Sequence, residues 1–339
     1  MSSRRAFRPV GVEALEGREL LSHASVTQAL ASGAAIKAEA TKPVALGSVG
    51  TLGDSYTDEY RFYSPDRSQA RNWVEILNST RKVDFGSYTT KSRGEPRNAG
   101  FAYNWARSDA KTIDMLRNQL PNLTAQVAKG QVKNVTILVG GNDFLKPLEA
   151  IAAGQLSPAA YAAELPQITA EAGANLGAAF DRLLAASKDV RLVVATIDIA
   201  NLPIVRGAVA ANPALQPLLQ AVNQSVGLYN NAIREVAAAN PRIALVDLAA
   251  NDQQLAQAGT SVPYGGTTIQ LAQVGDDYHD FFLADGVHPG TVAQGIIADD
   301  FINALDQHFG TAVQPLSPTE IVAYAAKTQA QIKAGKAVR

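Results

Sequence analysis

Gly53-Asp54-Ser55-Tyr56-Thr57-Asp58 closes a short Gly-rich apolar run, residues 44–52, with a serine in a turn flanked by glycine and aspartate. A strand that ends on such a turn presents its serine as a nucleophile. Two further stretches belong with it. Val139-Gly140-Gly141-Asn142-Asp143 ends the apolar run 135–139 in a Gly-Gly-Asn-Asp loop, and Asp285-Gly286-Val287-His288-Pro289 sets a carboxylate and an imidazole three residues apart. Serine, amide, carboxylate and imidazole are the parts that acyl transfer requires.

Around these stretches, strand-like and helix-like segments alternate. Residues 135–139, 191–197 and 243–246 are short, largely apolar runs that read as strands buried on both faces, and 83–85 reads as a further short strand. Helical spacing runs through 68–78, 112–127, most of 150–187, 217–239 and 291–309, with Pro121 expected to kink the second of these. Strands that alternate with helices and are apolar on both faces predict a parallel sheet covered on both sides, an α/β fold. Ligands in such sheets sit beyond the carboxyl ends of the strands. Ser55 and Asn142 each follow an apolar run and so project toward the same edge.

The 339 residues are 47% hydrophobic and 18% charged, enough for a sizeable core. A net charge of −1 gives no footprint for nucleic acid or a polybasic membrane anchor. Without cysteine, disulfides, zinc–thiolate sites and a cysteine nucleophile are excluded. No apolar run reaches the ~18 residues of a membrane-spanning helix. Neither the four histidines nor Asp54, Asp58 and Asp143 stand at a known metal-ligand spacing, so neither a metal nor a cofactor is expected. Residues 1–42 read as a flexible leader and linker, 43–312 as the compact domain, and 313–339 as a helical tail. Within the leader, residues 12–22 resemble an L-E-x-R-x-L-L tag of exported or surface proteins; an exported location is expected, with a cytoplasmic one the alternative if the segment is only a short amphipathic helix.

The three blocks together resemble the SGNH (GDSL-type) hydrolase family over residues 45–309. Gly53-Asp54-Ser55 matches its G-D-S block, Gly140-Gly141-Asn142-Asp143 its G-x-N-D block, and Asp285 to His288 its D-x-x-H block. The resemblance implies a three-layer, flavodoxin-like sandwich around a mostly parallel five-stranded sheet. It also implies a triad of Ser55, His288 and Asp285, with an oxyanion hole of the Ser55 N–H, the Asn142 amide and a backbone N–H from a glycine of a further block. Ser55 would attack, an imidazole suits the proton shuttle because it ordinarily titrates near ~6.5, and Asp285 would hold the other ring nitrogen. His279 is a rival base without the D-x-x-H spacing.

One block departs from the pattern. Residues 104–112 align so that Asp109 occupies the glycine position of the oxyanion hole, with Gly100 fitting the flanking residues less well. A carboxylate ~4 Å from the developing oxyanion would oppose it by roughly 4 kcal/mol at an effective dielectric of ~20. The expectation is instead that Asp109 caps the helix starting near Thr112. The leading function is therefore cleavage of carboxylic esters, from small acyl esters to lipids or acylated glycans, in a pocket shaped by residues 144–187 and 251–283. The alternatives are a binding protein on the same fold with turnover lost through Asp109, and a carbohydrate esterase.

Overall fold

The computed structural model describes residues 43–94 and 99–335. The leader and its tag-like stretch lie outside the described residues.

Four parallel strands form the central sheet: β1 (Val49–Gly53), β2 (Asn134–Leu138), β3 (Arg191–Ala195) and β4 (Ile243–Val246), in the order β1-β2-β3-β4. β1, β2 and nearly all of β3 and β4 are buried, as runs without polar alternation require of strands covered on both faces. On one face lie α1 (Trp73–Arg81), α8 (Thr291–Phe309) and, packed on α8, α9 (Pro318–Lys333). On the other lie α2 (112–128), α4 (Pro158–Ala186) and α6 (Gln216–Ala239). The remaining helices, α3 (Gly141–Ala152), α5 (Pro203–Ala211) and α7 (Leu248–Gln257), follow the strand ends. A hairpin of β5 (Ser261–Tyr264) and β6 (Thr267–Val274) turns at Gly265-Gly266, and β7 (Asp280–Phe282) pairs with β6. Trp73 stacks on Phe301 at 4.3 Å between centroids, locking α1 to α8 within the core.

Among the described residues the expected fifth strand is absent. Residues 83–85 contribute one bond to the sheet edge, from the Val49 N–H to the Asp84 carbonyl at 2.8 Å. Farther along the same edge, residues 103–107 run beside β1: the Thr51 N–H donates to Tyr103, Trp105 to Thr51 and Arg107 to Gly53, at 2.9, 2.9 and 3.1 Å. Only Thr51 and Asn104 form a bridge. The segment stays irregular because the Asn104 side chain binds locally, donating to the Thr57 carbonyl and accepting from the Thr51 hydroxyl and the Ala106 N–H.

The end of this edge is closed by a side chain. α2 is built in three pieces, Thr112–Asp114, a π turn Met115–Gln119 and Leu120–Ala128. Pro121 has no N–H to continue the ladder, and the wider π turn lies immediately ahead of it. The turn contains Gln119, whose buried amide accepts from the Gly53 N–H at 3.0 Å and donates to the Gly53 carbonyl at 2.8 Å. Gln119→Ala should leave both Gly53 groups without their amide partner just before the serine turn. The expected loss is about 2 kcal/mol of unfolding free energy, measured by urea denaturation, against near-neutrality for substitution of the exposed Asn122.

Candidate active site

Gly53 and Leu138 are register partners at the ends of β1 and β2, so the two following loops leave the sheet side by side. Ser55 and Asn142 accordingly line one cavity of about 260 Å³. Gly140 makes the second turn possible. Its φ is 118°, and a Cβ there would stand 2.8 Å from the Tyr229 ring, whose hydroxyl donates to the Val139 carbonyl at 3.0 Å.

The third block reaches the same place from far along the chain. The hydroxyl of Tyr56, next to Ser55, donates to the carbonyl of Val287, next to His288, at 2.7 Å. The rings of Tyr56 and Tyr60 stand 6.1 and 6.0 Å from the His288 ring, and Val287 and Pro289 line the cavity with Ser55. Burial raises the Tyr56 phenol well above its ordinary range, with nearby Tyr60 and carboxylates adding to it, so the group stays a donor.

Asp285 organises its own turn. One oxygen accepts from the Val287 and His288 N–H groups at 2.8 and 2.9 Å, and the other meets His288 Nδ1 at 2.5 Å. Burial pushes its carboxyl up, but the His288 hydrogen bond and charge and the two N–H donors outweigh this and hold it below the usual carboxylate range. With Nδ1 committed to Asp285, Nε2 is the ring nitrogen left to accept a proton. His279 is held instead by Asp277 at 2.6 Å, and neither His279 nor His288 is itself among the cavity-lining residues.

Three groups are expected to donate to a developing oxyanion. The N–H groups of Ser55 and Asp109 find no acceptor among the described residues. Asn142 Nδ2 donates one hydrogen to the Ala110 carbonyl at 3.1 Å, leaving its other hydrogen. Asp109 has the backbone of a glycine position, with φ at 65°. Its side chain corrects the capping expectation: the exposed carboxylate is paired with Lys146 Nζ at 2.5 Å. The cap is already filled, because Asp143 accepts from the Thr112 N–H and hydroxyl at 2.9 and 2.8 Å. Gly100 is a glycine for another reason, since a Cβ there would meet the Glu59 carboxylate at 2.2 Å.

Sequence reasoning missed Arg67. Its buried guanidinium donates to the Ser55 carbonyl at 3.2 Å and to the Ser108 hydroxyl at 2.8 Å, while Asp58 accepts from the Ser108 N–H at 2.9 Å. The turn carrying Asp109 is thus latched twice to the serine loop. Asp54 serves that loop by accepting from the Tyr56 N–H at 3.1 Å, and burial pushes its carboxyl up to about 7.

The cavity wall also differs from expectation. Of the helical stretch 144–187, only Leu145 lines it. The other expected segment, 251–283, does line it, through Leu255 of α7 and through Phe281 and Phe282, and the segment after β3 adds Ile197 and Leu202. The lining also carries Asp198, Asp252 and Asp300. Burial, then the charges of Asp198 and Asp300, raise Asp252 to about 8; burial, opposed by Asn251 and aided by Asp299, raises Asp300 to about 7.

The sequence matches the GDSL-like Lipase/Acylhydrolase family over residues 49–301. No curated protein matches it. Among solved structures it is similar to the lipase Lip_vut3 from a goat rumen metagenome, at 14% identity over 76% of this chain and 97% of that one, with a TM-score of 0.46. It is also similar to phospholipase A1 from Streptomyces albidoflavus NA297, at 17% identity over 78% and 100% with a TM-score of 0.44. A family 3 carbohydrate esterase from Clostridium thermocellum aligns at 13% identity over 77% and 95% with a TM-score of 0.39.

The cavity acids set a pH dependence of stability. A carboxyl raised in the folded chain is stabilising while protonated, and that contribution is lost as pH rises through the folded value, about 8 for Asp252. Asp252→Asn should therefore raise unfolding free energy by about 4 kcal/mol more at a pH above that value than at about pH 5, at ~1.4 kcal/mol per pH unit, read by denaturant titration at both. Equal effects at both pH values would contradict this.

Proposed function

The chain belongs to the GDSL-like lipase/acylhydrolase family, and on that footing we propose that it is a serine ester hydrolase working through an acyl-enzyme on Ser55. The observation that carries this reading is the Tyr56–Val287 hydrogen bond, which ties the neighbour of Ser55 to the neighbour of His288.

In this reading His288 Nε2 takes the Ser55 proton as Oγ attacks the ester carbonyl, and Asp285 stabilises the imidazolium through Nδ1. The carbonyl oxygen gathers negative charge and is met by the Ser55 and Asp109 N–H groups and the Asn142 amide. The imidazolium then returns the proton to the leaving alkoxide. The resulting acyl-enzyme is cleared by water activated at the same nitrogen. The apolar wall from Ile197, Leu202, Leu255 and Phe281 takes the hydrocarbon part of the acyl group, which favours lipid-like esters over acylated glycans. Because the Asp109 carboxylate is drawn onto Lys146, its charge is partly neutralised where it stands, which supports retained turnover over a binding protein that has lost it.

A fluorophosphonate probe with peptide mapping is expected to label Ser55, and Ser55→Ala should abolish both labelling and hydrolysis of p-nitrophenyl acyl esters; undiminished turnover in Ser55→Ala overturns the reading. Rate should fall toward acid, where a protonated imidazole accepts nothing. Asp285 is not the source of that limb, because its carboxyl already titrates below the usual carboxylate range. Asp109→Gly keeps the N–H and removes a left-handed cost of about 1 kcal/mol, so kcat should stay level or rise; a large loss in a folded variant would contradict the assigned donor. Tyr56→Phe should lower kcat by roughly tenfold or more with KM little changed, since a misplaced base costs the transition state first.

A further inference from the structure

Asp252 of α7 is a carboxyl that nothing in the fold holds. Protein encloses it on nearly every side, and the surface it keeps belongs to the lining of the cavity that Ser55 shares. Among the described residues no group donates a hydrogen bond to it and no cation pairs with it. Its charged neighbours are other acids. Asp198, from the segment after β3, and Asp300, from α8, both raise it by charge, and its own charge adds to the rise of the Tyr56 phenol beside Ser55. Those two acids have donors of their own. Asp198 accepts from the Ala200 N–H at 2.9 Å and from the Asn201 amide, and Asp300 accepts from the Asn251 amide at 3.0 Å. With Asp54, the lining carries four carboxyl groups against one base, Arg206 of α5. Among the described residues Arg206 forms no ion pair with any of them.

We propose that this part of the lining is a subsite for a primary alkylammonium group, which makes the substrate an amine-bearing carboxylic ester. The inference rests on the hydrolase reading for the ester, but not for the ammonium. An ionised carboxylate that is enclosed and accepts no hydrogen bond destabilises the empty fold, so its place beside a proposed nucleophile points to a ligand and not to packing. A primary ammonium brings three N–H donors to the vacant acceptor and the positive charge that the acids lack. A hydroxyl brings a donor without the charge, and a quaternary ammonium the charge without a donor. A carboxylate or phosphate would meet four groups of its own sign. The apolar wall of Leu202, Leu255 and Phe281 takes the alkyl stem and screens the attraction less than water does. Ammonium binding favours the ionised carboxyl and so expels a proton. Affinity therefore climbs as pH rises toward about 8, the value of Asp252 in the folded chain, and levels above it. The groups that face Asp252 keep this sign: Asp198 and Asp300 are acids, the Tyr56 phenol stays protonated, and Asn251 is neutral.

The test separates binding from catalysis. Hexylamine, whose ammonium titrates near ~10 like that of lysine, is titrated calorimetrically into the full chain at about pH 6 and about pH 8.5, with hexanol as the neutral control. Hexylammonium is expected to bind roughly tenfold or more tighter at the higher pH, with a heat that varies with the buffer's ionisation enthalpy because a proton is released, while hexanol changes far less. Asp252→Asn removes the charge with little change of shape, and should cut the preference for amine over alcohol at the higher pH by roughly tenfold or more. An equal pH response of amine and alcohol in the unsubstituted chain, or an undiminished preference in Asp252→Asn, overturns the proposal. In turnover, p-nitrophenyl ω-aminooctanoate should show kcat/KM roughly tenfold or more above that of the nonanoate at about pH 8, and this ratio should collapse in Asp252→Asn. Ser55-dependent ester turnover without that preference also overturns the proposal and leaves the hydrolase reading intact. Hexylammonium binding with the expected pH response, but no ester turnover by any chain, would sink the hydrolase reading and leave the subsite standing.

Discussion

The site depends on one hydrogen bond between distant parts of the chain, from the Tyr56 hydroxyl to the Val287 carbonyl. Each partner sits beside a residue of the proposed chemistry, so this contact brings the loop after β1 and the turn before α8 to a common edge. Other groups reinforce the same joint. Gln294 of α8 accepts from the Trp73 N–H at 3.0 Å and donates to the Tyr60 hydroxyl at 2.7 Å, and Thr291 accepts from the Arg71 N–H. These groups are buried or largely so, where leaving a partner unsatisfied costs more than in water. The joint is therefore held by polar groups that have few alternatives to one another.

The proposed chemistry divides between local and long-range order. The Asp285–His288 pair is assembled within one turn, with backbone N–H groups charging the carboxylate and the carboxylate fixing the ring. The oxyanion donors are assembled across the sheet, one from the end of β1, one from the start of α3, and one from a turn that Arg67 and Asp58 tie to the serine loop. This accounts for an aspartate at a left-handed position. What the proposed chemistry asks of position 109 is a backbone N–H, and the side chain stands outward on Lys146.

How far these features could be read in advance follows the same division. Strand ends were legible because buried strands of a parallel sheet are unbroken apolar runs, and the turns after them carry glycine and asparagine. The D-x-x-H pair was legible because its geometry is closed within four residues. The edge of the sheet was not: residues 83–85 have an apolar look without the hydrogen bonds, while 103–107 carry the bonds and lack the look, because Asn104 bends them. Tyr56 and Arg67 were not legible either, since a long-range hydrogen bond leaves no spacing in the sequence. The helical stretch 144–187 misled in the other direction: its Ala/Leu content serves packing of α4 on α6 and not the cavity wall. Asp252 and Asp300 belong to no motif, and only the fold brings them into one lining with Asp198.

Gln119 has one more consequence. A primary amide is a peptide group in miniature, and here it meets both backbone groups of Gly53 where a neighbouring strand would have done so. With residues 103–107 bonded below it, the outer margin of β1 offers a passing chain no unpaired ladder to copy. The margin next to the Ser55 turn is thereby sealed against strand-by-strand polymerisation, a hazard that a bare parallel border would otherwise present to every other copy in solution.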